Sequence, residues 1–218
     1  QPLDTALLNY HRWTYIQKFN NQYQDLGNVG TALNPIFPVV STTIGAIPGY
    51  QTYSLFYDTE EPKYYDSKSP YTKIFLVWGG DGRAMSHIEF ARNINPRWNF
   101  GFNYRPILAD KQLQRTKGIR QTVSHYYDFH TSYKSTNTRY TLLASYRRIR
   151  HRVFENGGIL LNKDTTFNAY FSQNAQPFLG AAQTEELRNS LHLFQQYQLA
   201  SPFQLYHKLD LTRQRNYF

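Results

Sequence analysis

His125, Asp128 and His130 fall within six positions and are residue types that ligate a transition metal. A metal site needs three or four donors converging on one point. In a strand, successive side chains alternate between faces, so His125 and His130 point to opposite sides and only Asp128 and His130 share one. Two donors do not make a site; a polar pair on one wall is expected instead. Gly79-Gly80-Asp81-Gly82 has the composition of a phosphate cradle, but such cradles lead into a helix N-terminus. No helical periodicity follows Gly82, so this tetrapeptide reads as a tight turn. Glu60-Glu61 and Glu185-Glu186 are adjacent pairs, not an acid and a base flanking a bond. No serine sits in a Gly-x-Ser-x-Gly elbow. No enzyme activity, cofactor or metal is expected.

The arginines offer a different chemistry. Arg147, Arg148, Arg150 and Arg152 surround Ile149 and His151. Such a cluster could contact an anion or lipopolysaccharide, or form the basic constriction of a pore. The plainer reading is an exposed rim where a strand meets a loop. The net charge of +9, from 24 Lys+Arg against 15 Asp+Glu, could also signal nucleic acid. Several arginines, however, lie near loops between long strands, where they would line a lumen or meet anionic headgroups. The expected partners are therefore outer-membrane lipid including lipopolysaccharide, with other outer-membrane or periplasmic proteins as further candidates and nucleic acid excluded.

The elements that must position these residues are strands. Tyr (19) and Phe (15) stand beside a single Met, and charged residues are only 18%. Aromatic richness with few helix formers favours strands and argues against disorder. There is no cysteine, hence no disulfide framework. No run approaches the ~20 apolar residues of a spanning helix, so a closed barrel is the available way across a bilayer. Gln1 opens a polar stretch without an apolar core, the expected form of a mature or trimmed exported chain.

Residues 1–70 carry turn chemistry (Gly27-Asn28, Asn34-Pro35, Pro48-Gly49, Glu61-Pro62) and no clean alternation. A short helix could start at Leu3, Leu7 and Leu8, and a strand could run over Gln51–Tyr57. This is expected to be an irregular N-terminal segment, periplasmic or folded into a lumen. From Tyr71 the period becomes two. Seven strands are expected, over 71–79, 84–92, 98–105, 121–134, 139–152, 187–200 and 203–213. A hairpin strand is conceivable at Thr165–Phe171. In the third, Trp98, Phe100, Phe102 and Tyr104 make one face; Asn99, Gly101, Asn103 and Arg105 make the other.

Three features point beyond a generic β protein. Strands of ~10–14 residues exceed the ~5–6 usual in soluble sheets and suit the ~9–11 a membrane strand needs. The connections alternate, short at 93–97, long at 107–119, short at 135–138, long at 153–186 and short at 201–202, as periplasmic turns and external loops do. Trp98, Tyr133, Tyr140 and Phe203 flank the short turns, where an interfacial girdle belongs.

The segments Tyr23–Phe37 (YQDLGNVGTALNPIF), Lys63–Thr72 (KYYDSKSPYT), Phe90–Arg105 (FARNINPRWNFGFNYR) and Glu155–Ile159 (ENGGI) resemble the putative β-barrel porin family of Bacteroidetes. The resemblance is spread over most of the chain. It implies an exported outer-membrane barrel of a Gram-negative bacterium, without a catalytic motif. Family members are longer, and seven strands is an odd number where single-chain bacterial barrels have an even one. The chain is therefore expected to be the N-terminal portion of a larger barrel, with Arg213-Gln214-Arg215-Asn216 as a loop. An eight-stranded barrel using Gln51–Tyr57 is the alternative.

The expected fold is all-β, an antiparallel up-and-down transmembrane β-barrel over residues 71–218 behind the N-terminal segment. Asn99, Asn103, Arg105, Asp128, His130, Lys134, Arg139, Arg147, Lys208 and Asp210 would face the lumen. Trp78, Trp98, Phe100, Phe102, Tyr104, Phe129, Tyr133, Tyr140 and Phe203 would face lipid or form a girdle. The expected function is porin-like passive passage of small hydrophilic solutes. A non-conducting barrel serving as scaffold in an outer-membrane complex is the first alternative. A soluble sandwich binding glycans or nucleic acid is the second.

Overall fold

In the computed structural model, which describes residues 11–37, 49–56, 63–67, 69–113, 118–160 and 174–218, the chain is all-β apart from short helical turns. One meander dominates: β3 (Tyr71–Gly79), β4 (Arg83–Asn95), β5 (Trp98–Tyr104), β6 (Ile107–Asp110), β7 (Arg120–Lys134), β8 (Tyr140–Phe154), β9 (Gln183–Ala200) and β10 (Phe203–Tyr217). Every pairing is antiparallel, in the order β10-β9-β8-β7-β5-β4-β3. β5 and β6 pair with the same two neighbours, β4 and β7. They are one long strand interrupted at Arg105-Pro106, where proline has no N–H to give the ladder. Seven long antiparallel strands therefore match the sequence expectation.

The differences lie at the ends of strands. The stretch read as a loop from 107 begins with β6, because Ile107 and Ala109 are buried against the sheet. β9 starts at Gln183, before the expected 187, and β10 runs to Tyr217 rather than ending at Arg213. Arg213–Asn216, read as a loop from their polarity, pair with Glu186–Asn189, since backbone pairing in a long ribbon does not need apolar side chains. The β3–β4 turn is short although it lies at the same end as the two long loops, so the loop asymmetry is partial. The expected helix at Leu3–Leu8 and hairpin strand at 165–171 fall outside the described residues.

The described residues between 11 and 67 form no strand of the main sheet. They contain a four-residue helix α1 (Tyr15–Lys18), closed by a capping box between Thr14 and Gln17. Two-residue strands β1 (Tyr23–Gln24) and β2 (Asn34–Pro35) pair with each other. Gln51–Phe56 is a 3-10 helix, not the expected strand. It buries Tyr53 and Phe56 three residues apart, a spacing that a three-residue turn puts on one side and a strand would not.

The core lies between this segment and one face of the sheet. Leu33, Tyr53 and Phe56 pack on Met85, Ile107, Tyr126, Ile149 and Val153. All five sheet residues belong to one face, here called inner. The outer face carries exposed Ile74, Leu76, Phe100, Phe129, Leu191 and Leu211, with Trp78 78% exposed.

Candidate functional site: the two faces of the sheet

Pairing registers fix which side chains share a face. Asn103, Asp128, Arg147, Ser190 and Thr212 form one inner row across the sheet. Gly101, His130, Ser145, His192 and Asp210 form the next. Asp128 meets Arg147 at 3.7 Å and His130 at 4.0 Å. Arg105 and Arg147 lie over the Tyr126 ring at 3.8 and 5.4 Å. Further along, Arg188 pairs with Glu186 at 3.0 Å and Lys208 with Asp210 at 3.1 Å. The inner face is thus a hydrogen-bonding wall of mixed sign.

Apart from Arg139, the residues expected in a lumen share this face. Asn99, Asn103, Asp128 and His130 are buried on it. Arg147, Lys208 and Asp210 occupy it by register. Lys134 ends β7 in the same phase, opposite Thr141. Arg105 sits at the β5–β6 break, over the Tyr126 ring. Arg139 lies in the turn before β8, its carbonyl oxygen accepting from Gln198 N at 2.8 Å. The expected lipid-facing or girdle set lies opposite: Phe102 packs on Phe129, Tyr104 on Tyr127, and Tyr133 on Tyr140. His125 also lies on this side, separated from His130 as alternation requires.

The polar tips of four outer aromatics are paired. Trp98 Nε1 donates to Thr131 Oγ1 at 2.8 Å, and that hydroxyl donates to the Asn99 carbonyl at 2.8 Å. The Tyr140 and Tyr146 hydroxyls donate to Gln195 and Asn189, each at 3.1 Å. Tyr104 Oη lies 2.9 Å from His125 Nδ1. A surface in hydrocarbon must satisfy its polar groups internally, and these four aromatics do so. Tyr140 and the Tyr127–Arg148 row are eight residues apart along β8. That is about 27 Å of strand, or ~20 Å of height once tilted, close to the ~25 Å apolar band of a membrane barrel.

The inner face is covered by described parts of the N-terminal segment, for which the sequence left a periplasmic or a lumenal place open. Their contacts lie from the long-loop end to the short-turn end. Asn28 Nδ2 donates to the Asp110 carbonyl at 2.9 Å and to Gln121 Oε1 at 2.7 Å. The Gly30 carbonyl accepts from His151 Nε2 at 3.0 Å. Tyr50 N donates to Glu186 at 3.2 Å, and the Tyr53 hydroxyl to Glu155. The Tyr65 hydroxyl donates to Glu89, while Tyr64 and Tyr65 both pack on His130. Asp66 and Ser67 reach Asn93 near the short-turn end. Burial pushes the Tyr53 phenol above its usual range, helped by Glu155; burial likewise raises Tyr64.

Gly101 explains how His130 fits. A Cβ there would collide with the His130 imidazole, so the glycine makes room for the ring on which Tyr64 and Tyr65 rest. The signal available in the sequence was the small residue amid Asn99–Asn103, read only as part of a small or polar face. A shallow cavity of about 280 Å³ lies at the short-turn end between Tyr64–Asp66, Asn93, Asn99 and Lys134.

A family model described as putative porin matches residues 1–218. No match was found among curated proteins or solved structures.

Proposed function

The chain belongs to the putative porin family, and on that premise we propose that its sheet is wall of a Gram-negative outer-membrane β-barrel passing small hydrophilic solutes by passive diffusion. The observation that carries this reading is the contrast between the faces: apolar and aromatic outside, mixed-charge and hydrogen-bonding inside. A polar solute crossing along the inner rows would exchange water for Asn, Ser, Asp and Arg groups without being held by one charge sign. Arg92, on the outer face near the short turns, can extend its guanidinium to the interface. Among the described residues β3 and β10 each pair on one side only. Closure would need further strands, from the same polypeptide or another copy.

A second reading has its own support. The N-terminal segment covers much of the inner face, as a plug would, which favours a non-conducting barrel acting as scaffold or accessory subunit. Conductance of the purified full-length protein in a planar bilayer separates the two. Stepwise conductance from the intact protein supports the diffusion pore. Silence from both the intact protein and a variant whose segment is released supports the scaffold.

A further inference from the structure

The arginine run divides by alternation in β8. Arg147 faces inward to Asp128, whereas Arg148, Arg150 and Arg152 share the outer face with Tyr140, Leu142 and Tyr146. The register of β9 and β10 extends this group. Arg148 is level with Asn189 and Arg213, and Arg150 with Leu187 and Arg215. Five arginines therefore gather on the outer surface at the long-loop end. They begin in the Tyr104–Tyr127 row and continue about 13 Å outward at ~6.7 Å per pair of residues. Arg150 is paired with Glu185, at 2.7 and 3.2 Å. The side chains of Arg148, Arg152, Arg213 and Arg215 make no hydrogen bond or ion pair among the described residues, and Arg148, Arg213 and Arg215 are exposed.

We propose that this outer-face belt of Arg148, Arg152, Arg213 and Arg215 binds the phosphate groups of anionic lipid in the leaflet at the long-loop end. The inference rests on the barrel reading. In a soluble protein these side chains would simply be hydrated. Beside an apolar band ending in tyrosines, they stand at headgroup height, where guanidinium groups form paired hydrogen bonds to phosphate oxygens. Arg150, neutralised by Glu185, spaces the row and contributes less. Register again separates this from the inner wall: Arg147 and Arg188 are held by inward carboxylates.

The test uses the full-length protein in detergent, titrated with lipid A carrying its phosphates and with dephosphorylated lipid A of the same acyl composition. Retained lipid is counted by native mass spectrometry. The wild type should retain the phosphorylated form about tenfold better, and the Arg148→Gln/Arg152→Gln/Arg213→Gln/Arg215→Gln variant should lose that preference, as should the wild type at high salt. Arg92→Gln, at the opposite end, should keep it. Equal retention of the two lipids, or an undiminished preference in the quadruple variant, overturns the proposal. Heat-modifiable gel migration of each variant tells the two failures apart. A variant that migrates as a barrel yet shows no arginine effect sinks the belt alone. A wild type without heat shift sinks the barrel reading beneath it.

Discussion

His151, buried in β8, donates from Nε2 to the carbonyl oxygen of Gly30 at 3.0 Å, joining residues 121 positions apart. Its ring also stacks on Phe56 with centroids 4.9 Å apart. Gly30 has φ +81°, and a Cβ there would press on Thr122 Cγ2 at 2.5 Å. The backbone approaches the sheet this closely only because it is glycine.

Gly30→Ala should therefore lift the loop from the sheet. Loss of a buried hydrogen bond costs roughly 1–3 kcal/mol, added to strain at a left-handed position. Limited proteolysis should show faster cleavage within residues 11–37 and little change in β7 or β8. Unchanged cleavage would mean that the loop is held elsewhere.

Tyr53→Phe removes the hydroxyl shared with Glu155 and Thr184. Leaving a half-buried carboxylate with one donor fewer should cost about 1 kcal/mol of segment docking. The wild type should also show a pH effect. A phenol whose folded value lies above its ordinary 10.0 stabilises the docked form below pH 10, and that contribution fades as pH rises further. Tyrosinate absorbance should show a late-titrating tyrosine that Tyr53→Phe abolishes.

Gly101→Ala forces the His130 ring aside and should unseat Tyr64 and Tyr65. Increased hydrogen exchange in 63–67, with β5 pairing retained, would be the signature. If the segment plugs the lumen, bilayer conductance should rise in the same variant.

Leu191→Arg places a charge amid the outer apolar rows, whereas Ser190→Arg places it on the inner face. At the bilayer midplane the first should cost about 2–4 kcal/mol and reduce the heat-modifiable fraction. The second should assemble almost normally.

Much of this architecture was legible in the sequence because period-two alternation is a local property. Trp98 to Tyr104 declared its two faces without knowledge of the neighbours. Strand ends were less legible: Arg213–Asn216 look like a loop by polarity yet are held by pairing with β9. The docked segment was least legible, because its contacts join distant residues such as Tyr65 with Glu89 and Gly30 with His151. The segments that carry the family resemblance meet there nonetheless. Asn28, Gly30 and Leu33 of the first and residues 64–67 of the second rest on the sheet, 90–105 supply Asn93, Asn99 and Gly101, and Glu155 receives Tyr53.

The central claim is that the outer face contacts lipid and the inner face does not. The chain has no cysteine, so single cysteines along β8 can report this after labelling with a fluorophore in vesicles containing spin-labelled lipid. Leu142→Cys, Ala144→Cys and Tyr146→Cys should be quenched, and Thr141→Cys, Leu143→Cys and Ser145→Cys should not. Quenching absent from both sets, in protein that stays soluble without detergent, would contradict the account and make the aromatic face a surface for something other than a membrane.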